Sequence, residues 1–120
     1  MEPMNPDIEF LWDMHEAAHL IIDFLQGMTY GQYAENRMVQ AAVERQLEIM
    51  SAAARRITPD FHSTHPDIPW HSIIGLSSIL FSGSGEVRPE RIWLATRNSI
   101  PPLVTLLDTL IPSLKDDITR

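Results

Sequence analysis

Apolar residues near the start of the chain recur at helical spacing over a run too long for any strand. Phe10, Met14, Ala17, Ile21, Phe24 and Met28 follow one another at steps of four and three, and Ile8, Leu11, Ala18, Ile22 and Leu25 widen the stripe. Asn5 and Pro6 supply a capping residue followed by a proline suited to the first helical position, so a helix is expected from there to about Gly27. Only Glu9, Asp13, Glu16 and Asp23 form a clearly wet face. So broad an apolar surface implies burial on two sides, either against a second subunit or as the central helix of a monomer.

After a turn marked by Gly27 and Gly31, Val39, Val43, Leu47, Met50, Ala54 and Ile57 form a second long stripe. Arg37, Glu44, Arg45, Glu48, Arg55 and Arg56 lie mostly outside it. Thr58-Pro59 ends that helix, and His62 to Pro69 (HSTHPDIP) reads as a loop because its prolines oppose a regular helix. A third helix is expected from Trp70 to about Phe81, closed by Ser82-Gly83-Ser84-Gly85. Pro89 fits the first turn of a short fourth helix carrying Ile92, Trp93 and Ala95. Pro101-Pro102 then opens a last segment with Leu103, Leu106, Leu107, Leu110 and Ile111, stopped near Pro112. No alternating run of β-branched residues competes, so the fold class is all-α.

The 120 residues suit one domain, 1–120, large enough to bury a core without disulfides. The absence of Cys removes thiolate metal sites and Cys nucleophiles and favours a reducing compartment. The N-terminus MEPMNPDIEF lacks the basic start and apolar run of a signal peptide, and no stretch reaches membrane-spanning length. A cytoplasmic protein that does not enter membranes is expected. A formal charge of −7 repels nucleic-acid backbones unless the arginines cluster, so RNA binding is expected to be weak.

Several side chains could carry chemistry. His62, His65 and His71 flank Asp60 and Asp67, but prolines give the first two no reason to share a face, and they read as polar loop residues. His15 and His19, four apart on a helix, do point one way and could bind zinc or accept a proton. No third ligand stands at a recognisable spacing, so they read as core or subunit-interface histidines, and no metal or cofactor is expected. Arg55 and Arg56 with Arg88, Arg91 and Arg97 could gather into a phosphate-binding patch or form solvated faces. Ser77, Ser78, Ser82 and Ser84 fit neither a nucleophile elbow nor a phosphate loop, leaving a helix-ending turn.

The stretches AAVERQLEIMSAAARRI from Ala41, HPDIPWHSIIG from His65 to Gly75, and Ile92-Trp93 form a recognisable series. On these, and over Asp7 to about Lys115, the chain resembles the HepT-like branch of the HEPN superfamily. HPxIPW and IIG, correctly spaced to that Trp, are the specific part of the resemblance. It implies an up-and-down bundle of four to five helices that forms a homodimer. It further implies a metal-independent toxin ribonuclease, partnered by a minimal nucleotidyltransferase antitoxin.

In active members the segment after IIG looks like Arg-Asn, several apolar residues, then His, a small residue and Tyr. Ser77, Ser78, Ser82 and Ser84 stand at those places here. Attack by an RNA 2′-hydroxyl needs a proton acceptor or donor and a cation beside the phosphate, and serine supplies neither. The Tyr is where the nucleotidyltransferase attaches AMP in the family, and Ser84 is a poor substitute. Where the family has Ile-Gly-Glu-Ala, this chain has Met50, Ser51, Ala52 and Ala53, so the acidic member is missing too. The resemblance therefore predicts a toxin-antitoxin scaffold without catalytic residues, acting through dimerisation and binding of the nucleotidyltransferase. The alternative is a ribonuclease using displaced groups, with His71, Arg88 and Arg91 as contacts to RNA or phosphate. A third reading places a nucleotide or small ligand in the vacated groove between subunits.

Overall fold

Pro6 stands at the first position of α1 (Pro6–Leu25), where a missing N–H breaks no helical hydrogen bond. The computed structural model describes residues 6–80 and 88–118, with side chains through residue 111. Asn5, Phe81, Ser82, Gly83, Ser84 and Gly85 lie outside the described residues. Gly27, at φ +72°, turns the chain after α1 in a backbone region that other residues avoid.

The expected plain turn from Gly27 to Gly31 contains a short helix, α2 (Tyr30–Glu35). Its start explains why it forms despite Gly31. The Thr29 hydroxyl accepts from the Gln32 N–H at 3.2 Å, while the Gln32 carboxamide accepts from the Thr29 N–H at 2.9 Å. Asn36 then caps α3 (Arg37–Arg56), accepting from the Val39 N–H at 3.0 Å. Val43, Leu47, Met50 and Ala54 are buried along α3, as their spacing predicts.

Thr58 and Pro59 end α3, and they also begin α4 (Pro59–Thr64), because Thr58 caps the Phe61 N–H and Pro59 suits the first turn. The predicted loop is correspondingly shorter, and His62 belongs to α4. The single helix expected from Trp70 is two, α5 (Trp70–Ile74) and α6 (Leu76–Leu80), parted at Gly75. The Ser78 N–H turns to the Gly75 carbonyl at 3.0 Å. The Ile74 carbonyl is taken instead by two side chains, Ser51 Oγ at 2.8 Å and Ser77 Oγ at 3.2 Å.

The largest departure is at the C-terminal end. Instead of a short helix and a separate last segment, α7 (Pro89–Ile118) runs through Pro101, Pro102 and Pro112. An interior proline costs about 3 kcal/mol through its lost N–H and its clash with the preceding turn. Against this, Ile92, Thr96, Ile100, Leu103, Val104, Leu107 and Ile111 form one buried stripe across the first two prolines. Each large apolar side chain in it contributes about 1.5–3 kcal/mol on burial, so continuity of the stripe outweighs the local penalty.

Among the described residues, three long helices and four short ones make an all-α bundle around one buried apolar cluster. α1 lies between α3 and α7, and α5 and α6 pack on α3. This placement buries part of the α1 stripe within one chain: Leu11, Met14, Ala17, Ala18, Ile21 and Leu25 are buried, whereas Ile8, Phe10, Ile22, Phe24 and Met28 are partly buried. Among the described residues no helix is long and apolar enough to cross a membrane.

Candidate functional site

The segment singled out by sequence begins where α6 meets the C-terminal end of α3. Ser77 is half-buried and Ser78 exposed. Their hydroxyls are turned onto carbonyls of the preceding turn: Ser77 Oγ donates to Ile74 O at 3.2 Å and Ser78 Oγ to Gly75 O at 2.6 Å. Such bonds are the usual competition of serine with helical backbone, and they hold both hydroxyls on the protein rather than presenting them to a ligand.

One cation does reach this segment. The Arg55 guanidinium, from the last turn of α3, donates to Ser77 Oγ at 3.1 Å. Ser51, one turn earlier on α3 and fully buried, donates to Ile74 O. Ser51 and Arg55 therefore anchor α3 to the junction of α5 and α6. Sequence reading missed this partnership; the four-residue spacing of Ser51 and Arg55 shows that they share a helix face but not what they face. Ala52, at the place of the absent Glu, looks elsewhere, lining a groove of α1 and α3 with Phe10, Asp13, Arg45, Glu48 and Arg56.

The other candidates are dispersed. His71 is exposed on α5, and Arg88 and Arg91 are exposed at the start of α7. Among the described residues no hydrogen bond or ion pair joins His71 to either arginine. Arg56 lies over the Phe10 ring at 5.9 Å and Arg97 over the Trp93 ring at 5.2 Å. Arg55, Arg56 and Arg97 are thus engaged with three different neighbours instead of one phosphate-binding patch.

His62 and His65 are structural. His62 stacks on Trp70, with ring centroids 4.3 Å apart, and its Nε2 reaches the Ala54 carbonyl at 3.0 Å. His65 stacks on Phe61 at 3.9 Å, and its carbonyl accepts the Trp70 indole N–H at 3.0 Å. The HPDIPW run is therefore a packing unit that closes the end of α3. His15 and His19 do share a face, and Asp108 of α7 meets both, at 2.7 and 2.9 Å from their Nε2 atoms. This carboxylate partner, which short-range spacing could not reveal, comes from the far end of the sequence.

A cleft of about 310 Å³ lies between the start of α5 and α7, lined by Asp67, Ser72, Leu76, Asn98, Pro102 and Leu106 among others. Ser77 and Ser78 do not line it. A family model described as ribonuclease HepT-like matches residues 14–110, which takes in the C-terminal part of α1, all of α3, the serine segment and most of α7. This chain belongs to the HepT-like ribonuclease family. Among the relatives, a Methanocaldococcus jannaschii protein named "Putative RNase" is 32% identical over 94 residues, covering 78% of this chain and 86% of the relative. A second from the same organism, similarly named, is 28% identical over 108 residues, covering 90% and 89%. The protein of Thermococcus cleftensis named "Probable ribonuclease HepT" is 30% identical over 95 residues, covering 79% and 86%. No solved structure matches the chain.

Proposed function

We propose that this HepT-like chain acts by binding rather than by cleaving RNA, as a dimer that engages a minimal nucleotidyltransferase in a cytoplasmic toxin-antitoxin context. The observation that carries this reading is the state of Ser77 and Ser78, whose hydroxyls are tied to Ile74 and Gly75 carbonyls where the family has Arg and Asn. Neither side chain can neutralise charge developing on a phosphate, and neither carries a basic group for the 2′-hydroxyl. Four sequence replacements, Ser77, Ser78, Ser82 and Ser84, together with Ala52, remove the polar chemistry while the packing words around it persist.

Arg55 favours a second reading, in which a ribonuclease survives with displaced groups. Its guanidinium sits on Ser77, supplying a cation beside the segment from α3. His71 is then the available proton carrier, and Arg88 or Arg91 further phosphate contacts. Purified protein incubated with tRNA and mRNA separates the two readings. Binding without catalysis predicts no cleavage; cleavage that disappears in Arg55→Ala, His71→Ala or Arg91→Ala establishes the second. The partner is tested by looking for a minimal nucleotidyltransferase reading frame next to this one and co-expressing the two. A stable complex of defined stoichiometry is expected, and a partner that elutes apart from the HepT-like chain removes that part of the reading.

A further inference from the structure

On the side of the bundle where α1 meets α7, two imidazoles and a carboxylate converge. His15 and His19 project from successive turns of α1, and their rings lie 4.5 Å apart. Both Nε2 atoms address the same oxygen, Asp108 Oδ1, at 2.7 and 2.9 Å. One donor atom from each of the three residues lies within 4.8 Å of the other two. Trp12, one turn before His15, sets its ring edgewise against that imidazole at 5.6 Å.

We propose that His15, His19 and Asp108 form a divalent-cation site of zinc type that clips α1 to α7. The donor set is two neutral nitrogens and one anionic oxygen, a combination suited to zinc and its late-transition neighbours and poorly suited to magnesium or calcium, which prefer all-oxygen shells. Zinc bonds to nitrogen and carboxylate oxygen are about 2.0–2.2 Å long, so tetrahedral donors sit roughly 3.4 Å apart. Separations of 2.7 and 2.9 Å between histidine and carboxylate reach that arrangement by opening roughly half an ångström or slightly more. The histidine spacing, four residues on one helix, holds two ligands in place before the ion arrives.

Without the ion, hydrogen bonds from His19 and His15 hold the Asp108 carboxyl below the usual carboxylate range; with the ion, each imidazole would keep its hydrogen on Nδ1 and offer the Nε2 lone pair, so zinc replaces those hydrogen bonds. The Asp108 side chain is about half exposed and that of His19 is 42% exposed, so water can complete the coordination and the ion can enter without unfolding the bundle. Trp12 supplies an apolar wall beside the His15 ligand. Because the ligands come from α1 and α7, separated by 89 residues or more, the folded chain binds the ion and the unfolded chain does not hold the same constellation. Binding should therefore raise thermal stability in proportion to the logarithm of zinc concentration once the site saturates.

The test uses the full chain with any polyhistidine tag removed, stripped with EDTA and titrated with zinc chloride near pH 7.5. One zinc per chain is expected by calorimetry and elemental analysis, with a rise in Tm that EDTA reverses. Asp108→Asn and His19→Gln each weaken binding at least tenfold, the loss expected when coordination is perturbed, while helical circular dichroism stays unchanged. Less than half an ion per chain at saturation overturns the proposal, and so does undiminished affinity in both variants. Magnesium in place of zinc should leave Tm unmoved; an equal rise would contradict the assignment of the donor set.

Discussion

The Asp7 carboxylate holds Thr58 twice, accepting from its backbone N–H at 2.9 Å and from its hydroxyl at 2.7 Å. Thr58 in turn caps α4 by accepting the Phe61 N–H at 3.3 Å. A buried acid in the first turn of α1 thereby fixes the chain reversal between α3 and α4. Removing it strands two donors, each costing about 1–3 kcal/mol if left unsatisfied. Asp7→Ala is expected to lower unfolding free energy by about 2–3 kcal/mol, with Asp7→Asn between it and the parent, as urea unfolding would measure. A loss under half a kcal/mol would show that water replaces the carboxylate without penalty.

Tyr33 makes the opposite prediction. Its side chain is fully buried against Trp93, with ring centroids 5.5 Å apart, and its hydroxyl has no hydrogen-bond partner among the described residues. Burial is the main reason its pKa is pushed far above the usual phenol value, with Glu44 adding to it. Deleting an unsatisfied buried hydroxyl removes its desolvation cost without removing a bond. Tyr33→Phe should leave stability unchanged or raise it by up to about 1 kcal/mol, whereas Tyr33→Ala should lose about 3–5 kcal/mol. Thermal unfolding of both variants distinguishes ring packing from a hidden hydroxyl partner, which a destabilised Tyr33→Phe would reveal.

Asp108 carries a pH signature. Hydrogen bonds from His19 and His15 lower its pKa below the usual value, so the folded state favours the carboxylate. A depressed carboxyl contributes stability above its unfolded pKa, about 3.9, and loses it as pH falls through the lower folded value. With EDTA present, the Tm advantage of the parent over Asp108→Asn should persist from neutrality to about pH 4 and close below it. A gap that stays constant down to pH 2 would mean the carboxylate charge plays no part.

Local rules made much of the bundle legible. Pro6 marked the start of α1, the stripe through Val43, Leu47, Met50 and Ala54 defined α3, and Thr58-Pro59 ended it. The same rules failed at Pro101-Pro102, where a stripe of buried residues on both sides carries α7 past a break that local chemistry favours. The junction at Gly75 escaped notice because its cause is remote: Ser51, 23 residues earlier, takes the Ile74 carbonyl. The candidate site divides in the same way. That Ser77 and Ser78 replace ionic groups was readable from the motif, but the approach of Arg55 across 22 residues and of Asp108 across 89 or more depends on how helices pack. Pairing of α1 with both α3 and α7 buries Leu11, Met14, Ala17, Ala18, Ile21 and Leu25 within one chain, an arrangement that sequence spacing alone does not distinguish from burial against a second subunit.

RNA cleavage by the parent chain beside a restored variant tests the central claim most directly. Ser77→Arg, Ser78→Asn, Ser82→His and Ser84→Tyr, combined in one chain, return the ionic and proton-transferring groups to the HepT-like segment. Because catalytic groups act as a unit, their joint return should matter by orders of magnitude where single changes do little. The account predicts intact tRNA and mRNA with the parent and cleaved RNA with the restored chain. Parental cleavage that is abolished by Arg55→Ala would contradict it and establish a ribonuclease working through a displaced arginine.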